Sequence, residues 1–355
     1  MTGMKAIWED LKQREIPDYM TFRGEKIVNR EQWANQREEL KKLICQEMYG
    51  YMPFRKWEVC GRVVQTVKEG YGGKVQIDTV DLQISTVRGV CSFPFQLAIP
   101  KNVINPPVFI HITGYPADYM TEELTDHGYA VASVFYQDIM PDRPEAVLEG
   151  VGRIIEVLPE IGWGKIAMWA FGVCRMTDYL MTREDIDRKR IAIAGHSRLG
   201  KVTLLCGALD ERFSLIISAG SGAGGAALFR GKTGEQIENL SKHWFCGNMK
   251  KYAYHPELLP FDQHFLIAMA APVKVYISSA DEDAWADPKS EFLSCVAASA
   301  AYELLGEKGL VCDHYPEVDE SLQDGSIAYH RRNGTHAMTR QDWHLYMKYR
   351  ERWQV

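Results

Sequence analysis

The chain predicts an α/β fold: a three-layer αβα sandwich whose central sheet is mostly parallel, with antiparallel strands on its N-terminal side. Two observations lead there. Residues Trp57 to Ile112 read with period two and glycine punctuation, the pattern of antiparallel strands. From Tyr129 onward, short and almost continuously apolar runs alternate with helical stretches. Strands without a polar face belong to a parallel sheet covered on both sides.

Taken in order, Ile27 to Gly50 predicts a helix. Asn29 with Gln32 offers a capping box, Trp33, Leu40, Leu43, Ile44 and Met48 recur on one face, and Gly50 is a natural stop. Residues 1–55 therefore read as a helical extension packed on the main domain, residues 56–355. Gly70 to Gly73 form a turn between two alternating runs. Pro106 to Tyr119 is an apolar strand ending in a Gly-Tyr-Pro loop, followed by a short helix, Thr121 to His127, and a strand, Tyr129 to Tyr136. A long helix covers Lys165 to Met181. Ile191 to Ala194 is a strand feeding a helix from Leu199 to Leu209. Phe213 to Gly220 is the next strand, and Ser221 to Gly234 a glycine-rich loop. Val273 to Ala280 is a strand before the helix Pro288 to Leu305, for which Asp287 is the cap and Pro288 the first residue. Val311 to Tyr315 and Ile327 to His330 read as β segments, and Thr339 to Trp353 as the last helix. No repeat or low-complexity linker divides the chain.

Composition removes several function classes. With 46% hydrophobic and 25% charged residues the chain is an ordinary globular protein, and its net charge of −6 gives no footprint for a nucleic-acid backbone. No apolar run is long enough to span a membrane, and the N-terminus lacks an apolar signal core, so a cytoplasmic location is expected. The eight cysteines are scattered, with no Cys-x-x-Cys pair and no Cys/His ligand cluster. They read as reduced core residues, with no metal and no cofactor implied.

Chemistry concentrates at Arg190 to Lys201, RIAIAGHSRLGK. A buried strand runs into a tight turn that carries Ser197 and opens directly into a helix, the geometry of a nucleophile elbow. The common G-x-S-x-G spacing is not met: Arg198 and Leu199 follow the serine, and Gly200 arrives one residue late. In the α/β-hydrolase arrangement the chain order is serine, acid, histidine. His330, His336 and His344 fall late, and His336 alone sits in a loop between the last β segment and the final helix. It is the expected base. The acid is expected in DEDAWADP, after a late strand, with Asp283 favoured over Glu282 and Asp281. For the oxyanion, the backbone N–H of Arg198 and a donor near Gly114 and Tyr115 are expected, with the Arg198 guanidinium in addition. Arg198 and Lys201 put two cations in the first turn of one helix, against its dipole, which suggests an anionic or electron-rich ligand.

These residues carry a resemblance. GHSRLGK resembles the elbow of the glucuronoyl esterases, the fifteenth carbohydrate esterase family, in its bacterial type. SGAGGAALFRG (Ser221 to Gly231), HWFCGNMKKY (His243 to Tyr252), LLPFDQH (Leu258 to His264), DAWADP and NGTHAMTRQDW are similar to successive segments of that family, in order. The resemblance implies an α/β-hydrolase that cleaves esters between (4-O-methyl-)glucuronic acid, as on xylan, and a lignin-type alcohol. It implies Ser197 as nucleophile, His336 as base and Arg198 on the oxyanion. Lys201 and, near it in role, Glu235 would contact sugar hydroxyls, and Trp285 would pack on the sugar. Many members carry a glutamate just before S-G-A-G-G, and this chain has Gly220 there. The acid is then expected on the later DEDAWADP turn.

The expected function is hydrolysis of a small or oligosaccharide uronate ester through a Ser-His-Asp triad, without nucleic-acid or membrane partners. The oligomeric state is not legible. Acetyl xylan esterase or a broad small-ester activity is the alternative within hydrolases. A non-catalytic carbohydrate-binding protein on the same fold is the alternative outside them.

Overall fold

Along Asp187–His196 (β8), Ile191 and Ile193 face one side of the central sheet and Ala192 and Ala194 the other. The same alternation splits Val108, Ile110 and Ile112 from Phe109 on the neighbouring strand. Side chains in a strand alternate between faces, so runs that are apolar on both demand two covering layers. A computed structural model describes residues 3–51, 57–116, 119–154 and 162–355 and shows that sandwich.

The strands, in chain order, are a small hairpin of β1 (Thr21–Phe22) and β2 (Glu25–Lys26), then β3 (Glu58–Glu69), β4 (Val75–Thr86), β5 (Gly89–Pro100), β6 (Pro107–Thr113), β7 (Ala130–Phe135), β8, β9 (Leu215–Ala219), β10 (Lys274–Ala280), β11 (Glu320–Leu322) and β12 (Ile327–Arg332). The main sheet runs β11-β12-β10-β9-β8-β6-β7-β5-β4-β3. From β7 to β12 the pairings are parallel. β3, β4 and β5 join antiparallel at one side and β11 at the other. The site therefore gathers where the parallel strands end, the usual place for ligands in such sheets.

One face is covered by α4 (Lys165–Leu180), α5 (Arg198–Leu209) and α7 (Pro288–Leu304); the chain also forms α1 (Met4–Gln13), α2 (Arg30–Ile44), α3 (Thr121–Asp126), α6 (His264–Met269) and α8 (Arg340–Trp353). The opposite core contains Leu124 of α3 and Trp343, Tyr346 and Tyr349 of α8. The N-terminal residues Ile7, Leu11, Tyr19, Trp33 and Leu40 belong to the first core itself, and Tyr19 Oη donates to the Ala297 carbonyl at 3.0 Å. Asn29 caps α2 by accepting the Gln32 N–H at 2.9 Å, while the Gln32 side chain reaches back to the Val28 N–H rather than to the cap. The expected single helix to Gly50 changes to a π turn over Cys45–Tyr49 before that glycine ends it with φ 83°. Residues 52–55 of the expected extension lie outside the described residues, as do Ala117 and Asp118 of the expected loop.

One β expectation fails. Val311 to Tyr315 does not form a strand; a single bridge joins Leu310 to Ile327, and β11 lies further on. Tyr315 instead packs edge-on against Phe292 of α7 (ring centroids 5.2 Å apart) and lies under the Arg331 guanidinium, so the apolar run spends its side chains on packing rather than pairing. All eight cysteines are free, six of them buried. Among the described residues no helix is long and apolar enough to cross a membrane.

Candidate active site

Ser197 occupies φ 59°, ψ −127°, between the end of β8 and the start of α5. A non-glycine residue with positive φ is strained, and this turn pays for it with close packing. The Ser197 N–H donates to the Ala219 carbonyl at 2.8 Å, continuing the β8–β9 ladder past His196. A Cβ on Gly195 would lie 2.5 Å from the Leu199 carbonyl oxygen, and one on Gly200 would lie 2.8 Å from Ser218 Oγ and 3.0 Å from Ser221 Cβ. The late glycine thus serves a different contact from the usual elbow: it lets α5 settle onto β9 and the glycine-rich loop.

His336 projects from the loop after β12. That loop is wrapped round the buried Arg332, whose guanidinium donates to the carbonyls of Asn333 (2.8 Å), Thr335 (2.8 Å) and Ala337 (2.5 Å), and to Asp342 Oδ2 (3.0 Å). Asp342 also accepts from the Thr339 N–H, closing the cap of α8. The other late histidines have partners of their own: His330 is buried between Tyr276 and Asp342, and His344 pairs with Glu123.

Of the three carboxylates weighed on the β10 turn, the structure brings Asp283 to His336: Oδ2 lies 2.5 Å from Nδ1. Its Oδ1 accepts the Ala286 N–H at 3.2 Å. Burial pushes Asp283 up, but the His336 bond and charge outweigh it and hold the carboxyl below its ordinary value. Asp281 turns to Arg331, and Glu282 is exposed. Asp287 caps α7, accepting from Ser290 N–H and Oγ. The glycine that replaces an acid at the end of β9 stands close by: a Cβ on Gly220 would lie 3.5 Å from His336 Nδ1 and 3.6 Å from Asp283 Oδ2.

Beside His336 lies His196, with ring centroids 4.4 Å apart. Burial and the neighbouring His336 pull His196 down to about 4, so it is neutral at ordinary pH. Both rings line a cavity of about 260 Å³ whose other walls include Gly114, Tyr115, Tyr119 and Met338. Tyr115 is exposed, and among the described residues beyond its chain neighbours no atom lies within 4 Å of a Cβ on Gly114.

The two cations of α5 each meet a carboxylate. Lys201 is buried, and its Nζ donates to the Ser221 carbonyl (2.7 Å), the Ala223 carbonyl and Glu235 Oε2 (3.3 Å). Burial pulls it below the ordinary lysine value, against the pull of Glu235. The Glu235 N–H donates to the Trp285 carbonyl at 2.9 Å, and the Trp285 side chain is 55% exposed. Lys201, Glu235 and Trp285 therefore form one group on the glycine-rich-loop side of Ser197. Arg198 pairs with Asp142 at 2.6 Å. That charge pair answers the opposition between a cation and the helix N-terminus.

Two groups escaped the sequence reading. Asp142 lies in QDIMPDRPE, which carries no local signal, and the HWF segment that bonds it was visible only as a resemblance. Glu291, on the first turn of α7, is fully buried and accepts from Ser279 Oγ (2.5 Å), the Gly222 N–H (2.9 Å) and Ser221 Oγ (3.2 Å). No group of His, Cys, Asp and Glu suited to a metal ion occurs among the described residues.

Known proteins of this shape carry related names. Residues 82–306 match the family model described as glucuronyl esterase, fungi. Carbohydrate esterase MZ0003, from an unknown prokaryotic organism, is 43% identical over 238 residues, 65% of this chain and 55% of that protein. The 4-O-methyl-glucuronoyl methylesterase of Hypocrea jecorina is 26% identical over 309 residues, 83% of this chain and 62% of its own. The chain thus spans somewhat over half the length of these curated relatives. Among solved structures, a promiscuous CE15 esterase from a marine bacterial metagenome superposes with TM-score 0.87 at 32% identity, over 95% of this chain and 96% of that one. The glucuronoyl esterase from Solibacter usitatus gives TM-score 0.87 at 31% identity, over 95% and 97%. An elbow serine, a histidine held by a buried aspartate and these matches together identify the chain as a member of the glucuronoyl esterase family, carbohydrate esterase family 15.

Proposed function

We propose that this protein is a serine esterase that hydrolyses esters of glucuronic or 4-O-methylglucuronic acid. The observation that carries the reading is the 2.5 Å contact between His336 Nδ1 and the buried Asp283, with the His336 ring centred 4.4 Å from that of His196, the residue before Ser197. The aspartate fixes the ring so that its other nitrogen, Nε2, is the free base.

In the first step His336 takes the Ser197 Oγ proton as Oγ bonds to the uronate carbonyl carbon. The carbonyl electron pair moves onto oxygen, where the Arg198 N–H, the Arg198 guanidinium and a backbone donor at Gly114 or Tyr115 stabilise it. Collapse breaks the bond to the alcohol, whose oxygen takes the proton from His336. Water then gives a proton to His336 and its oxygen to the acyl carbon, and the Ser197 oxygen leaves with that proton. Asp283 remains ionised throughout and stabilises the imidazolium. Trp285 packs on the sugar ring, and Glu235, held by the buried Lys201, presents its carboxylate to the hydroxyls. Exposed aromatic faces beside paired polar groups suit a sugar, which has both apolar and hydroxyl faces.

Turnover of benzyl glucuronate, compared with acetyl release from acetylated xylo-oligosaccharide, tests the substrate. Faster acetyl release overturns the uronate reading in favour of a deacetylase. Retention of sugar binding without any turnover, and failure of a fluorophosphonate to label Ser197, would instead identify a carbohydrate-binding protein.

A further inference from the structure

Four side chains converge on the carboxylate of Asp142. Trp244 Nε1 donates to Oδ1 at 2.8 Å and His243 Nε2 lies 2.8 Å from the same oxygen. Arg198 Nη1 donates to Oδ2 at 2.6 Å, and Tyr136 Oη donates to it at 3.1 Å. Burial pushes Asp142 up, but these donors outweigh it and keep the carboxyl ionised below its ordinary value.

The loop's backbone has anchors of its own. The buried Lys165 donates to the carbonyls of Pro141 (2.7 Å) and Ala146 (2.8 Å), and Trp169 Nε1 donates to the Met140 carbonyl at 2.7 Å. The backbone around Asp142 is anchored from α4, and the carboxylate is left for side chains that lead to the nucleophile turn.

Arg198 follows Ser197 directly, and its side chain is 39% exposed. Among the described residues its guanidinium bonds only Asp142 and, at 3.4 Å, Tyr136 Oη, both through Nη1. The Nε and Nη2 donors bond none of the described residues. The Trp244 ring lies under the guanidinium, 4.8 Å from its centre. One indole thus stacks on the cation and bonds its counter-ion. An unheld arginine on an open turn samples many rotamers, whereas a donor fixed before charge develops needs no reorganisation during reaction.

We propose that Asp142 is a positioning residue for ester hydrolysis: it grips Arg198 by Nη1 and, with Trp244, His243 and Tyr136, turns the open guanidinium edge toward the oxyanion formed at Ser197. This rests on the reading of Arg198 as an oxyanion donor.

A double-mutant cycle on benzyl glucuronate tests both separately. Arg198→Ala should lower kcat about 100-fold or more, the size of a lost oxyanion donor. Asp142→Asn should lower kcat about tenfold or more with KM changed less than threefold, and should change kcat less than twofold in the Arg198→Ala background. Full activity of Arg198→Ala overturns the oxyanion reading. A large loss in Arg198→Ala with none in Asp142→Asn, or an Asp142→Asn loss of the same size in both backgrounds, overturns the positioning role alone. If Asp142→Asn does not fold, Trp244→Phe keeps the ring and deletes one donor to Asp142. It should cost about threefold in kcat, again only when Arg198 is present, and equal loss in both backgrounds overturns the role equally.

Discussion

Gly220 stands against His336 at the end of β9: a side chain begun there would touch the ring nitrogen that Asp283, at the end of β10, already holds. Two neighbouring strand ends can therefore reach the same nitrogen, and in this chain the second holds it. Asp283→Asn should leave the fold intact and lower kcat by about 10⁴-fold, because the amide stabilises the wrong tautomer of His336. Steady-state kinetics on benzyl glucuronate reads this directly. A loss under tenfold would mean that another carboxylate serves.

The positive φ of Ser197 has a thermodynamic signature. Ser197→Ala and Ser197→Gly should both be inactive. The glycine variant should be more stable than the alanine variant by about 1 kcal/mol, because glycine adopts that backbone region without strain. Chemical denaturation of the two compares them. Equal stability would show that the turn is unstrained.

Trp285 is exposed, so its removal should cost binding and not folding. Trp285→Ala should shift stability by less than about 0.5 kcal/mol. It should also raise KM for a glucuronate ester about tenfold, with little effect on a small ester that lacks the sugar. A parallel rise for both substrates would remove the sugar contact.

Glu291 supplies a pH test. Burial pushes it up to about 7. Its folded value lies above the unfolded one, so the stability it lends is complete below about pH 4.5 and is lost as pH rises through 7. Relative to Glu291→Gln, the wild type should lose about 3 kcal/mol between pH 4.5 and 7 and stay level above that. Denaturation of both proteins at pH 4.5, 6 and 8 measures the difference. A constant difference would show that burial does not raise Glu291 above its unfolded value.

Legibility in the sequence followed sequence distance. The elbow, the Asp287 cap and the strands β6 to β10 are written in local pattern, because period, caps and turns act over a few residues. The choice of Asp283 over Asp281 and Glu282 was not local: it depends on where Arg331 and His336, from another strand, come to lie. Asp142 was silent for the same reason, since Arg198, His243 and Trp244 arrive from two distant segments. Glu291 reads as an acidic residue in a helix first turn, where a solvated charge is normal. Packing against β10 and the glycine-rich loop, both distant in sequence from its own helix turn's pattern, buries it.

The glycine-rich loop also has a tether outside the catalytic strands. Tyr49 Oη donates to the Gly224 carbonyl at 2.9 Å, and a Cβ on Gly224 would lie 2.6 Å from Phe245 and 3.1 Å from the Met48 methyl. Ser221 and Ala223, whose carbonyls hold Lys201, belong to that loop. The segment ahead of β3 is therefore a floor beneath the loop that holds Lys201. A protein engineer who trims or swaps that segment would loosen the cradle of Lys201 from behind, without touching Lys201 or either carbonyl that holds it.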